Sequence, residues 1–408
     1  MEAQTLAVET AFAPGFAAIE TAAASPRWLT ALRESGRERF EALGFPTTKT
    51  EAWRFTSVRP ITEVAWTRAA REALRRPDPA PRGVRIRRLS EALADAEPHL
   101  ARIASFEDNA FTALNTALFE DGLLVEIGRG AVVAEPIELV FDAASAAHPE
   151  VSYPRLLVVA GEGSQATVVE TWTGRGGRPH LNCAVTEISV GDGAVLTHVK
   201  VQREDESAFH VHAIAARQGR ASRFTSHNIS LGAALARTDL DVALAGEGAE
   251  CEANGLFVAG GSQHCDNHTT IDHARPHGVS RELYKGILDG KARGVFHGTV
   301  LVRPGAQKTD AIQTNKNLLL SREALVDSTP ALRIEADDVK CKHGSTTGQL
   351  DPLALFYLRS RGLGEDEARA LLVRAFASEL VSRIPVAAAR DAVEAALSAR
   401  LPGLSEAP

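Results

Sequence analysis

A four-residue turn, Gly-x-Gly followed by a small residue, returns along the middle of this chain at nearly constant spacing. It stands at Gly128-Arg129-Gly130-Ala131, Gly161-Glu162-Gly163-Ser164, Gly191-Asp192-Gly193-Ala194 and Gly246-Glu247-Gly248-Ala249, with a degenerate copy, Gly219-Arg220-Ala221-Ser222, between the last two. The first glycines are 33, 30, 28 and 27 residues apart. Between the turns lie short runs rich in Val, Ile, Leu and Thr, which predict strands over 123–127, 137–141, 156–159, 166–171, 184–190 and 195–202. A strand–turn–strand unit near 30 residues cannot bury its apolar face alone. Stacked copies share one core and pass backbone hydrogen bonds from rung to rung. Glycine suits the corners because a tight turn often needs positive φ. The competing architecture is a β-sandwich with ordinary hairpin turns. A stacked sheet also leaves unpaired edges at its ends, so a cap or a partner is expected there.

The flanks read differently. Residues 1–120 predict an N-terminal helical domain. Ser25-Pro26 opens a helix carrying Trp28, Leu29, Leu32, Phe40 and Leu43, and 107–118 forms another with Phe111, Leu114 and Leu118 on one face. The arginine- and proline-rich stretch 75–88 reads as a linker. Residues 121–345 form the strand-rich core, and 346–408 return to helix. Asp351-Pro352 starts one helix, which carries Leu355, Phe356 and Leu358 and stops near Gly362. Glu365-Asp366-Glu367 favours the first turn of the next, whose apolar stripe runs through Ala368, Leu371, Leu372, Ala375, Phe376 and Leu380 to a stop at Pro385. With little core beside it, that stripe is either internal packing or a docking face. A net charge of −7 argues against sequence-independent nucleic-acid binding. Residues 1–10 carry no basic segment and no apolar run is long enough to span a bilayer, so a cytoplasmic protein without a membrane anchor is expected. Four cysteines (Cys183, Cys251, Cys265 and Cys341) are too few for a disulfide framework.

Two groups of side chains could carry chemistry. In Cys341-Lys342-His343-Gly344, an extended backbone would put thiol and imidazole on one face. Both bind soft or borderline metals, although a buried thiol beside a hydrogen-bonded histidine is the commoner meaning of such a pair. His264, Asp266 and His268 would likewise share a face, with Asp272, His273 and His277 close by. This set is the basis of an alternative, a metal-dependent enzyme built on a solenoid and using His264, His268 and His273. No H-E-x-x-H zinc motif accompanies it. Gly286-Ile287-Leu288-Asp289-Gly290-Lys291-Ala292 is one residue short of a phosphate loop and lacks its Ser or Thr, so this chain is expected to bind no nucleotide itself. Gly174-Arg175-Gly176-Gly177 lacks the third glycine of a dinucleotide fingerprint.

The stretch from Asp266 to Phe376 resembles the SufD branch of the SufB/SufD family of iron–sulfur cluster assembly scaffolds. The resemblance rests on Asp266-Asn267-His268-Thr269, Ser280-Arg281-Glu282-Leu283, Gly294-Val295-Phe296-His297-Gly298, Lys308-Thr309-Asp310, Thr314-Asn315-Lys316-Asn317-Leu318-Leu319-Leu320, Ala336-Asp337-Asp338-Val339-Lys340-Cys341-Lys342-His343-Gly344 and Phe356-Tyr357-Leu358-Arg359-Ser360-Arg361-Gly362. Nearer the N-terminus, Lys49-Thr50-Glu51-Ala52-Trp53-Arg54-Phe55-Thr56 also fits. The resemblance implies a mainly β fold, a right-handed parallel β-helix core flanked by N-terminal and C-terminal α-helical domains. It implies a noncatalytic scaffold that pairs with the paralogue SufB and with the ABC-type ATPase SufC, and that receives sulfur indirectly from a cysteine desulfurase and its sulfur-transfer partner. A transient iron–sulfur cluster would form at the complex interface beside His343, with Cys341 as a second candidate and His268 and His273 as weaker ones. Phe356, Leu358, Leu371, Leu372, Phe376 and Leu380 would then dock the ATPase. The family context admits a reduced flavin in the assembled complex and a homodimer of the isolated chain. SufB itself is the near alternative. It usually carries His-Glu-Ala where this chain has His343-Gly344-Ser345, and it is longer and has more cysteines.

Overall fold

The strand-rich region folds as stacked coils, not as a sandwich of hairpins. A computed structural model describes residues 25–69, 73–143, 148–174 and 177–400. Residues 1–10, and the middle of the Gly174-Arg175-Gly176-Gly177 turn, lie outside them. Each coil contributes one strand to each of two sheets. The first sheet contains His180–Val190, Ala208–Gln218, Leu235–Leu244, His264–His273, Arg293–Val302 and Leu325–Ile334 in consecutive parallel pairs. The second contains Gln165–Gly174, Val195–Gln202, Arg223–Ser230, Glu250–Ala259, Val279–Leu288, Asp310–Leu319 and Lys340–Gly348. Register advances by one repeat per rung: Val195 pairs with Arg223, and Arg223 with Glu250. The strand predicted over 195–202 falls at Val195–Gln202.

The two glycines of the recurring turn do different work. The second adopts positive φ, 65° at Gly163 and 63° at Gly193, and in the degenerate copy Ala221 takes the same conformation at 51°. The first sits against the coil beneath. A Cβ on Gly161 would lie 2.7 Å from Arg129 N, and one on Gly191 2.8 Å from Glu162 N. Those are steric limits on rung spacing, not on φ.

The core between the sheets begins as an apolar stack, with Leu123, Val158, Ile188 and Leu240 among its members. One outer face is covered by the N-terminal helices, Arg27–Leu43 and Ala110–Leu118, which pack Phe40, Phe111 and Leu114 on Leu157, Leu181 and Phe209. Asn109 caps the second of these helices by accepting from the backbone N–H groups of Phe111 and Thr112. The opposite outer face is covered by Glu365–Val381 and Ala387–Arg400, whose Val373, Ala377, Leu380 and Val393 pack on Val199, Ile229, Leu256 and Leu283. No helix among the described residues is long and apolar enough to cross a membrane.

The segment 75–88, expected as a linker, is partly built into the fold. Val84–Arg88 pairs antiparallel with Gly122–Ile127, and Ala73–Arg75 pairs antiparallel with Ile137–Ala143. The strand is hidden in the composition: Val84 and Ile86 point into the core, while Arg85 and Arg87 alternate outward to reach Glu126 at 2.8 and 2.7 Å. These antiparallel strands close one end of the solenoid. At the other end, Leu325–Ile334 and Lys340–Gly348 each terminate a sheet with no further strand beyond them among the described residues.

Candidate functional site

Cys341 and His343 both lie on that last strand, at the bare end. Cys341 pairs in register with Ala311, and His343 with Gln313. Ala311 is a core residue, and Cys341 packs with it beside Leu332 and Val339. The alternation of a strand therefore turns Cys341, His343, Ser345 and Thr347 toward the inter-sheet space. No coil among the described residues covers them; His343 is exposed and Cys341 half-buried. Burial pushes the Cys341 thiol up from its ordinary value, which lowers its thiolate fraction and its strength as a metal ligand near neutral pH.

Beneath this end the interior is polar. Gln313, Asn315 and Asn317 point inward from Asp310–Leu319 and are buried. Gln313 Nε2 donates to Glu282 Oε2 at 2.8 Å, Asn317 Nδ2 to Asn315 Oδ1 at 2.6 Å, and Ser328 Oγ to Asn315 Oδ1 at 2.8 Å. Ser328 also meets Ser345 of the terminal strand at 2.8 Å. Burial pushes Glu282 up to about 7, against the hydrogen bond from Gln313, which favours its charged form. Deeper still, His198 Nε2 lies 2.8 Å from Glu170 Oε1, and Lys200 Nζ donates to Thr238 Oγ1 at 2.7 Å. This polar lining was missed in the sequence reading. The signal for it was the alternation in Ala311-Ile312-Gln313-Thr314-Asn315-Lys316-Asn317, which becomes readable once Cys341 anchors the inward parity.

The second histidine group divides by that same parity. His264, Asp266 and His268 do share a face, the outer face of the first sheet, under the N-terminal domain. There Asp266 is already claimed. Arg237 and Thr56 reach its Oδ2 at 2.7 and 2.6 Å, and His268 Nε2 lies 3.1 Å from its Oδ1. His264 Nε2 meets Thr56 Oγ1 at 2.8 Å, and Arg237 stacks 3.8 Å over the Trp53 ring while donating to Ala52 O. His273 points the opposite way, into the interior, bonded to Ser280 at 2.9 Å, and Asp272 is held outside by Arg303 at 2.6 Å. His264, His268 and His273 therefore cannot converge on one ion, and a guanidinium occupies the centre where an ion would sit. Among the described residues, no three His, Cys, Asp or Glu side chains are grouped to hold a metal. The arrangement is a clasp joining residues 52–56 to the solenoid.

Burial opposes ionisation of Asp266, but Arg237, His268 and the Thr56 hydroxyl outweigh it and hold the carboxyl well below the usual range. A carboxyl depressed in the folded state contributes stability above its unfolded value near 3.9, and that contribution fades as pH falls toward the folded value. Asp266→Asn should therefore cost about 2 kcal/mol at pH 7, the scale of a hydrogen bond to a charged group. The gap to the wild type should begin to narrow below about pH 4 and go on narrowing as the pH falls further. Urea midpoints measured across pH check both statements, and a gap independent of pH would refute them.

The expected docking residues separate as well. Phe356 is 71% exposed and Leu371 43%, joined by Leu353 at 76% and Tyr357 at 56%, which the sequence reading did not single out. Leu358, Leu372 and Phe376 are partly buried. Leu380 is a correction: it is fully buried against the solenoid and offers no accessible surface. Its helix is apolar on more than one side, and the small Ala368, Ala370 and Ala377 let that side settle closest to the sheet. Seven of the ten exposed large apolar side chains among the described residues lie between Ile312 and Leu371, at the bare end and on the adjoining helices. Apolar exposure concentrated in one region marks an interaction surface.

Fold and site together define a parallel β-solenoid closed at one end and open at a coil that carries an imidazole and a thiol over a polar interior. Residues 141–376 match the core domain of SufBD proteins of the SUF system for FeS cluster assembly, and residues 71–139 match the SufBD N-terminal region. The chain belongs to the SufBD family of iron–sulfur cluster assembly proteins. It is 32% identical over 383 residues to the iron–sulfur cluster assembly protein SufD of Escherichia coli, covering 88% of this chain and 90% of that one. It is 38% identical over 301 residues to the SufBD family protein slr0076 of Synechocystis, covering 72% of this chain and 66% of that protein. SufD of Bacillus subtilis is 26% identical over 282 residues, covering 69% of this chain and 64% of the relative.

Proposed function

We propose that this chain is a noncatalytic scaffold subunit on which an iron–sulfur cluster is assembled as cargo. The bare end coil pairs with the end coil of a SufB-type paralogue, bringing His343 to a shared interface. The exposed surface around Leu353, Phe356, Tyr357 and Leu371 receives a SufC-type ATPase. The observation that carries this reading is the asymmetry of the two ends. The first end is closed by the chain's own antiparallel strands, whereas the end bearing His343 has no further strand beyond it among the described residues. An uncapped sheet edge invites another strand, and a histidine is a competent but weaker iron–sulfur ligand than a thiolate, suited to a cluster that must leave. The same edge would let the isolated chain pair with itself.

Anaerobic co-expression with a SufB-type paralogue and a SufC-type ATPase, purification through this chain, and counts of iron and acid-labile sulfide per complex test the reading. A three-protein complex carrying both elements is expected. A chain that retains neither partner, or that turns over a small substrate alone, would overturn it.

A further inference from the structure

The inner column of the second sheet places three side chains one above another at its open end. Glu282 pairs with Gln313, and Gln313 with His343, in the parallel register. Rungs of a sheet are about 4.8 Å apart, and paired positions in a parallel ladder project the same way. Glu282 and Gln313 are buried, and His343 is exposed on the last coil.

Gln313 is held in one orientation. Its Nε2 donates to Glu282 Oε2 at 2.8 Å. The donor end of the amide faces Glu282, and the ionised form of that carboxyl, which only accepts, holds it there. Across the interior stands Gly298, where a Cβ would collide with Gln313 Nε2 and would lie 2.9 Å from its Cδ. The amide therefore occupies a space that a larger facing residue would fill. Its other end, Oε1, is buried and has no hydrogen-bond partner among the described residues. A native interior seldom leaves a carbonyl oxygen unpaired without a purpose.

We propose that Gln313, oriented by Glu282, is the positioning residue for His343: the two side chains are not bonded in the structure, and a turn of the exposed ring lets the free Gln313 carbonyl accept one imidazole N–H, presenting the other ring nitrogen, with its lone pair, to the open end. Histidines that bind metals commonly give their second N–H to a carbonyl or carboxylate, which fixes tautomer and ring direction. Gln313 does not touch the cargo and acts only through His343. The proposal deepens the assembly reading and rests on it for its purpose, but not for its geometry.

The test uses the full chain with 15N-labelled histidine, the His343 ring signals being assigned by their loss in His343→Gln. One predominant tautomer is expected in the wild type. Gln313→Leu should move both ring shifts toward those of free imidazole, and Glu282→Gln should do so in part, because an amide partner can donate as well as accept. In the co-expressed complex, Gln313→Leu should lower iron and sulfide content about tenfold, the usual scale for an outer-shell residue, while the proteins still copurify. If Gln313→Leu does not fold, Gln313→Met and Glu282→Gln carry the same measurement. Ring shifts of His343 that do not respond to these changes overturn the proposal, whatever happens to the iron. Ring shifts that respond while iron content stays level support the positioning and count instead against the assembly reading.

Discussion

Replacing Glu187 with alanine is expected to destabilise the protein by about 4 kcal/mol, within the range for breaking a buried ion pair on one side. Glu187 projects from His180–Val190 onto the outer face of the first sheet and is fully buried. Its Oε1 receives Arg155 NH2 at 2.7 Å and Arg155 Nε at 3.1 Å. The same carboxylate accepts four consecutive backbone N–H groups, from Ala101 at 2.8 Å, Arg102 at 3.0 Å, Ile103 at 3.0 Å and Ala104 at 3.2 Å. The loop wraps the carboxylate tightly enough that Ala101 sits at φ 55°, a conformation alanine resists. Arg155 also donates to Asn115 Oδ1 and Thr116 Oγ1 at 3.1 and 3.0 Å, reaching the helix Ala110–Leu118. One carboxylate thus ties solenoid, loop and N-terminal helix together. Alanine would strand a buried guanidinium and four amide donors at once. Glu187→Gln keeps the shape and part of the acceptance, so its cost should be about half as large. Urea midpoints for the two variants check this, and a loss below about 1 kcal/mol for alanine would mean the loop is held by something else.

The coils were legible because a stacked architecture imposes a local demand on every rung. The close approach at Gly161 and Gly191 and the positive φ at Gly163 and Gly193 both print glycine into the sequence at the repeat distance. What was not legible depended on neighbours distant in the chain. Val84–Arg88 looked like a linker because its outward positions are arginines whose partners, Glu126 and Asp95, lie elsewhere in the sequence. Asp272 and His273 looked like co-ligands because adjacent in sequence, yet adjacency on a strand means opposite faces. The helix Glu365–Val381 shows a stripe through Leu371 and Leu380, but periodicity does not say which side meets the sheet. Lys285 helps decide it, crossing to Glu379 at 2.6 Å and lying 4.6 Å over the Phe376 ring. Cys341 and His343 were found as a pair, whereas the column under them needed the register of Asp310–Leu319 against Lys340–Gly348.

Changing His343 to alanine should abolish cluster loading with little effect on folding. The side chain is exposed on an edge strand, and exposed substitutions usually move stability by less than about 0.5 kcal/mol. The three-protein complex should therefore assemble in normal yield, while its iron and sulfide fall to below about a tenth of the wild-type count, at least the loss that follows removal of an outer-shell partner. Cys341→Ser is the necessary companion. Its thiol is half-buried against Ala311, Leu332 and Val339, and burial raises its pKa, so it starts as a thiol where a ligand must be a thiolate. Serine there should reduce loading less than alanine does at His343. The opposite order, with Cys341→Ser empty and His343→Ala loaded, would transfer the ligand role to the thiol and leave the imidazole as a neighbour. Equal, normal loading in both variants would make the end coil a pairing surface alone, since an unpaired strand edge needs neither side chain to recruit a partner.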